Sequence, residues 1–344
     1  MQAKQNTAKT ASIPAPIGGW NGRDSLAQMA PTDAVQMVNW YPTPTDVTMR
    51  KGYTKSSTGI TGAVNTLMNY PTTSGYKLFA AAGTKIWDAT NSTATTSFSS
   101  LTSDKLQYVN FTNTAGNYLV TCNGLDPVTI YDGTSWFTVA TTATSQTISS
   151  ITRGGTGNLT ATLTTASPHG LVTNNRVTVS GATPAQFNGT FVITVTGAST
   201  FTYTMATAPS GDATVVGTYT TIGITGVNSN TFVNVNLFKN RLYFCKNNSL
   251  SFYYLDVQAI SGVATEFQLG SFFRNGGFLQ AMGTWTLDAG YGVDDFAVYV
   301  TNMGEVLVYQ GFDPSDPNNW AMKGLWQMGQ TFARKCFFKW GGDL

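Results

Sequence analysis

Charge is scarce in this chain. Of its 344 residues only 10% are Asp, Glu, Lys or Arg, where globular domains usually carry about 25%. The net charge of +2 is too small for a basic clamp on nucleic acid. A surface so poor in charge has weak electrostatic protection against association, so much of it is expected to be covered by partners. Histidine occurs once, as His169, and cysteine three times, as Cys122, Cys245 and Cys336. No Cys-x-x-Cys pair exists, which argues against a Cys/His zinc site; two of the cysteines fall in apolar runs and read as small buried hydrophobes. No apolar run approaches the roughly 20 residues that span a bilayer. Met1–Ser12 has two lysines and no apolar centre, so it does not read as a secretory signal. Stable membrane insertion is not expected, and assembly is expected in a cytoplasm.

What replaces the charge is Thr, Ser, Asn and Gly, which favour short strands and tight turns. With 42% hydrophobic and 12% aromatic residues the chain can bury a core, and its composition is all-β. Four segments share one plan of strand, turn and strand ending in an aromatic: Tyr76–Trp87, Asn117–Tyr131, Asn240–Tyr253 and Asp295–Tyr309. Asn123-Gly124 and Met303-Gly304 mark two of the bends. Trp87 and Tyr131 stand 44 residues apart, but Tyr131 and Tyr253 stand 122 apart. Between them, about 146–222, lies Thr/Ser/Val/Gly alternation without tryptophan. Setting it aside restores a spacing of 45, and the next step is 56, with a longer loop expected around Gly270–Gly290.

A period in the forties made of paired hairpins predicts a β-propeller-like array of hairpin blades. The expected organisation is an extended N-terminal arm and docking segment over 1–60, blades over 61–145, an inserted small immunoglobulin-like β-sandwich over 146–222, and further blades over 223–344. That last set is expected to be incomplete, with another strand starting near Lys339. Within the insert, strands are predicted at Arg176–Ser180, Phe191–Thr196 and Thr200–Thr204. The proline-rich arm is predicted to hold at most one helical turn, near Asp24–Met29.

Residues with catalytic potential do not assemble into a pattern. Pro168-His169-Gly170 reads as a turn, and no Gly-x-Ser-x-Gly elbow offers a nucleophile. Asp288, Asp294 and Asp295 lack the spacing of a calcium loop and are predicted to cap a strand beginning at Asp295. Asp313-Pro314-Ser315-Asp316-Pro317 reads as a turn cluster. No cofactor, metal site or catalytic residue is expected. Basic residues gather as Arg50-Lys51-Lys55, Lys239-Arg241-Lys246 and Arg334-Lys335-Lys339.

Gly18-Gly19-Trp20-Asn21, Asp24-Ser25-Leu26, Asn39-Trp40-Tyr41-Pro42 and Arg50-Lys51-Gly52 resemble the opening of short-tailed bacteriophage tail nozzle (tail tubular protein B-like) and packaged-DNA stabilisation proteins. Further matches lie at Trp285–Gly290 with Gly292–Asp295, and at Tyr309–Pro314. Pro168–Leu171, Val177–Gly181 and Phe187–Thr190 resemble small domains inserted into phage tail proteins. The resemblance implies a non-enzymatic structural subunit in the virion tail. It implies a homo-hexameric ring below the head-to-tail adaptor or portal-side ring, meeting tail fibres or spikes. Double-stranded DNA would pass along its axis without sequence recognition. Trp20, Asn21, Trp40, Tyr41 and Arg50 are then interface candidates, and Lys239, Arg241 and Lys246 are candidates to face the lumen. The alternative is a receptor- or carbohydrate-binding tail module, with sugar held by the inserted domain or by the aromatic blade tips Trp87, Trp136 and Trp320.

Overall fold

The computed structural model describes residues 12–141, 145–288, 293–338 and 344, and divides the chain into two units, Met1–Ser56 and Ser57–Leu344. In the first unit Gly19–Trp20 pairs in parallel with Asp33–Ala34, and Trp40–Pro42 pairs antiparallel with Val47–Met49. Thr43 closes that hairpin by accepting from the Asp46 amide at 3.0 Å and donating to the Asp46 carboxylate at 2.6 Å. The amides of Gln28 and Met29 both donate to the Ser25 carbonyl, forming the single turn predicted there.

The second unit is all-β and propeller-like, built from four antiparallel four-stranded blades. Blade one comprises Val64–Thr72, Gly75–Ala82, Lys85–Asp88 and Thr95–Ser99; blade two comprises Gln107–Asn113, Gly116–Cys122, Thr129–Tyr131 and Trp136–Thr138. Blade three comprises Phe232–Phe238, Arg241–Lys246, Ser251–Tyr254 and Thr265–Gln268, and blade four Leu279–Asp288, Val293–Thr301, Glu305–Gly311 and Trp320–Gln327. The predicted hairpins are therefore strands two and three of each blade. The stretch expected to be a long loop around Gly270–Gly290 instead contains the first strand of blade four, whose Trp-Thr-Leu alternation pairs along Val293–Thr301.

Sequence pattern follows position in the stack. Val64–Thr72 alternates, with Thr66, Met68 and Tyr70 buried and Asn65, Leu67 and Asn69 turned out. Tyr118–Cys122 and Arg241–Cys245 are buried at every residue, because these second strands have a blade against each face. The third-strand aromatics keep one orientation. Tyr131 packs on Phe79 and Tyr70 of blade one, Tyr253 joins the core shared with blade two, and Tyr309 the core shared with blade three. Trp87, the equivalent in blade one, packs instead with Ala80, Ala82, Ala94 and Ile60.

Turns differ from the simplest reading. Lys239 and Asn240, both with positive φ, make a two-residue hairpin between Phe238 and Arg241. Asn123-Gly124 opens a longer loop, in which the Asn123 side-chain oxygen accepts from the amides of Leu125 and Asp126. Gly304, at φ +83°, closes the third bend.

Residues 145–221 form one seven-stranded sheet that rolls over a core of Ile148, Leu163, Val177, Phe187, Phe201 and Tyr219. Its central strand, Ser145–Gly154, carries a bulge between Ile148 and Ser150. Residues 145–147 pair with 218–220, and from Ile148 onward, through the bulge, the strand pairs with Thr160–Thr165. Arg176–Ser180 and Thr200–Thr204 are strands, as predicted, whereas Phe191–Thr196 is broken into Gly189–Val192 and Thr194–Gly197. The break falls at Ile193, which is buried and donates its amide to Asn175 O at 3.0 Å. No helix among the described residues is long and apolar enough to cross a membrane.

Candidate functional site

In the first unit the predicted interface residues divide into two kinds. Trp20 is 70% exposed although its indole N–H donates to the Val35 carbonyl at 3.1 Å, so the ring is held in place with its faces open. Trp40 and Tyr41 are 49% and 54% exposed on the second hairpin, where Trp40 lines a 280 Å³ recess with Pro16, Gln36, Met37 and Val47. Met49 and Tyr53 add further exposed apolar surface. Asn21 is an internal pin: its amide donates to Asp24 at 2.9 Å and Asp33 at 2.8 Å, and its oxygen accepts from the amides of Arg23 and Asp24. Arg50 has an exposed side chain and an amide bonded to Asn39 O at 2.7 Å. Held rings with open faces suit protein contact better than any chemistry, because they order little on binding.

The three cations assigned to the lumen are occupied within the fold. Lys239 pairs with Asp295 at 2.5 Å. Arg241 is buried, lies 3.4 Å from Asp313 and 3.8 Å from Asp256, and covers the Tyr254 ring at 5.7 Å. Lys246 lies over the Tyr253 ring at 5.9 Å. The first two charges are thus neutralised within the fold.

His169 is buried; its Nδ1 accepts from the Leu171 amide at 3.0 Å, so Nε2 carries the proton and points to the Thr200 carbonyl at 3.4 Å. The aspartates expected to cap a strand at Asp295 do something else. The strand starts at Val293, and both carboxylates engage across it: Asp294 accepts from Gln310 at 2.8 Å and Asp295 from Thr286 at 2.9 Å. The side chain of Asp288 lies outside the described residues, as does Lys339. Asp313 and Asp316 organise their turn by accepting from the amides of Ser315 and Asn318. Cys122 and Cys245 are buried free thiols, and burial pushes Cys245 up to about 12. Among the described residues no three His, Cys, Asp or Glu side chains group as a metal site would require.

Trp87, Trp136 and Trp320, proposed as sugar platforms, are all buried within blade packing: Trp136 stacks edge-on against Phe79, and Trp320 lies parallel to Tyr309 at 5.2 Å. Exposed blade tips were expected because each follows a turn. The neighbouring blades that cover Trp136 and Trp320, and the segment around Ile60 that covers Trp87, are invisible in the local pattern.

Polar side chains that the sequence did not single out join the first strands of adjacent blades. Thr66 donates to Asp104 O at 2.7 Å and accepts from the Leu106 amide at 3.0 Å, tying blade one to blade two. Asn236 donates to Met282 O at 2.8 Å, and Asn234 accepts from the Met282 amide at 3.0 Å, tying blade three to blade four.

No family model matches the chain, and no curated protein matches it. Among solved structures, BBS1N in complex with ARL6DN aligns over 77% of this chain and 66% of its own, at 11% identity and TM-score 0.29. The phage phi92 endosialidase aligns over 71% of this chain and 52% of its own, at 12% identity and TM-score 0.21. Similarity of this degree carries no argument about function.

Proposed function

We propose that this chain is a structural subunit of a short-tailed phage tail tube, forming a ring that retains packaged DNA and conducts it during ejection. The observation that carries the reading is the set of exposed, pre-positioned aromatics Trp20, Trp40 and Tyr41 on a small separate unit. A ring needs a heterologous contact in which one surface of each subunit meets a different surface of the next. Large aromatics are the residues that dominate such contacts. The sequence resemblance in Gly18–Asn21 and Asn39–Pro42 covers these same positions. Neutralisation of Lys239 and Arg241, two of the three lumen candidates, suits a conduit, because each free cation that replaced a counterion on DNA would strengthen binding and slow passage. The blade-tip form of the sugar-binding alternative loses support from burial of its three tryptophans. Class averages of the assembled protein test the proposal: a six-fold ring with an axial channel supports it, and a monomer sitting at fibre tips in a particle map refutes it.

A further inference from the structure

The segment that follows blade four, residues 328–338, turns back across the blades. The Met328 amide donates to Gly304 O at 2.7 Å, Thr331 donates to Thr301 O at 3.0 Å, and Arg334 Nη2 reaches Asn247 Oδ1 at 3.0 Å. Arg334 and Lys335 line two adjoining recesses, of about 440 and 280 Å³, whose other walls come from the first strands of all four blades. The larger recess also contains Lys105, Ser103, Gln107 and Asn65. Three cations therefore share one groove in a chain that has 19 in all.

None of the three forms an ion pair with a carboxylate among the described residues. Asp104 and Asp126 are hydrogen-bonded to Asn65 and Asn123, which line the recess: Asp104 accepts from the Asn65 amide group at 3.0 Å and from the Gly83 amide at 2.6 Å. Asp126 accepts from Asn123 at 2.6 Å and from the Thr102 amide at 2.7 Å. Arg334 Nη1 is buried with no acceptor among the described residues. A buried donor left in this state is costly unless something supplies an acceptor. Three cations lining one recess whose lining includes no carboxylate are the wrong set for a metal ion and the right one for an oxyanion.

We infer that this groove is an oxyanion site that takes a phosphate-bearing ligand. Phosphate presents several acceptor oxygens at once, which matches a guanidinium and two ammonium groups supplied by two segments distant in sequence, Lys105 and Arg334-Lys335. The recess falls in the range of about 300–1,000 Å³ typical of small-ligand pockets, so it has room for linked phosphates. Free polyphosphate and the phosphodiester backbone of nucleic acid share this chemistry. The site rests on different residues from the tail-tube reading and stands or falls separately from it.

Calorimetric titration of the full chain with pyrophosphate, and separately with a short DNA duplex, tests the inference. Lys105→Gln and Lys335→Gln remove exposed charges, so the variants are expected to keep the wild-type melting temperature; Lys323→Gln, on the last strand of blade four and outside the groove, is the control. Wild type is expected to bind at least one probe, with each groove variant weakening it about tenfold and the control leaving it unchanged. Binding of pyrophosphate alone assigns a small phosphorylated ligand, and binding of duplex, lost in the same variants, assigns a nucleic-acid backbone. If neither probe binds, or if Lys105→Gln/Lys335→Gln binds as wild type does, the inference is overturned.

Discussion

Arg176, on a strand of the inserted domain, places its guanidinium against the carboxylate of Asp132 in the last turn of blade two. The same guanidinium lies over the Phe137 ring at 4.4 Å, and the side chains are only 16% and 13% exposed. Beside them, Asn175 donates to Thr138 at 3.2 Å (carbonyl) and 3.0 Å (hydroxyl). The inserted domain is therefore clamped to the blade rather than hung from its connecting strands.

Removing one partner of this pair leaves a half-buried charge uncompensated. Asp132→Asn and Arg176→Met are each expected to destabilise the protein by about 3 kcal/mol, read as a shift of the urea midpoint. The double variant is expected to lose less than the sum of the two, because it removes both charges.

The same pair sets a pH dependence. Burial raises the Asp132 carboxyl, but the amides of Ser135 and Thr134 and the Arg176 guanidinium outweigh it, so the group stays below its usual value. A depressed folded pKa contributes stability that is present above the unfolded value of about 4 and is lost as pH falls through the folded one. Melting temperatures measured downward from pH 6 should fall more steeply in wild type than in Asp132→Asn. Parallel curves would remove Asp132 from the account.

Excision of the inserted domain is expected to leave a folded array. Its first and last strands are neighbours, with Ser145 opposite Thr220, so a short Gly/Ser linker can join the ends without strain. Loss of the clamp should lower the melting temperature by a few degrees while the far-ultraviolet signal of the blades persists. A collapse of all β-signal would show that the blades depend on the insert.

Gly304→Ala is expected to cost about 2 kcal/mol. The residue sits at φ +83°, and an added Cβ would lie 2.6 Å from the carbonyl oxygens of Met328 and Gly329. The cost should appear in the denaturant midpoint, with Gly329→Ala, where an added Cβ meets nothing within 4 Å, as the neutral comparison.

Trp20→Ala with Trp40→Ala should abolish ring assembly, measured by mass photometry, while leaving the second unit's melting transition in place. Most of the Trp20 surface and half of the Trp40 ring is exposed already, so little buried area is forfeited within the chain. Rings forming normally in this double variant would remove the aromatic surface from the proposal.

The all-β character and the hairpin rhythm were legible because they are local. Thr, Val and aromatic alternation specifies strands, positive-φ residues specify bends, and an aromatic recurring at the end of a hairpin marks a repeat. The Asp313–Pro317 turn cluster was readable for the same reason. What each residue faces could not be read in this way. Trp136 became core because blade one lies against it, whereas Trp20 stayed exposed on its own small unit. The charges of Lys239 and Arg241 were neutralised by Asp295 and Asp313, more than fifty residues away in the chain. Lys105, Arg334 and Lys335 met in one groove because residues 328–338 fold back across four blades. Strand propensity acts over a few neighbouring residues. Burial, pairing and the meeting of charges depend on contacts between distant segments, and those exist only once the blades have packed.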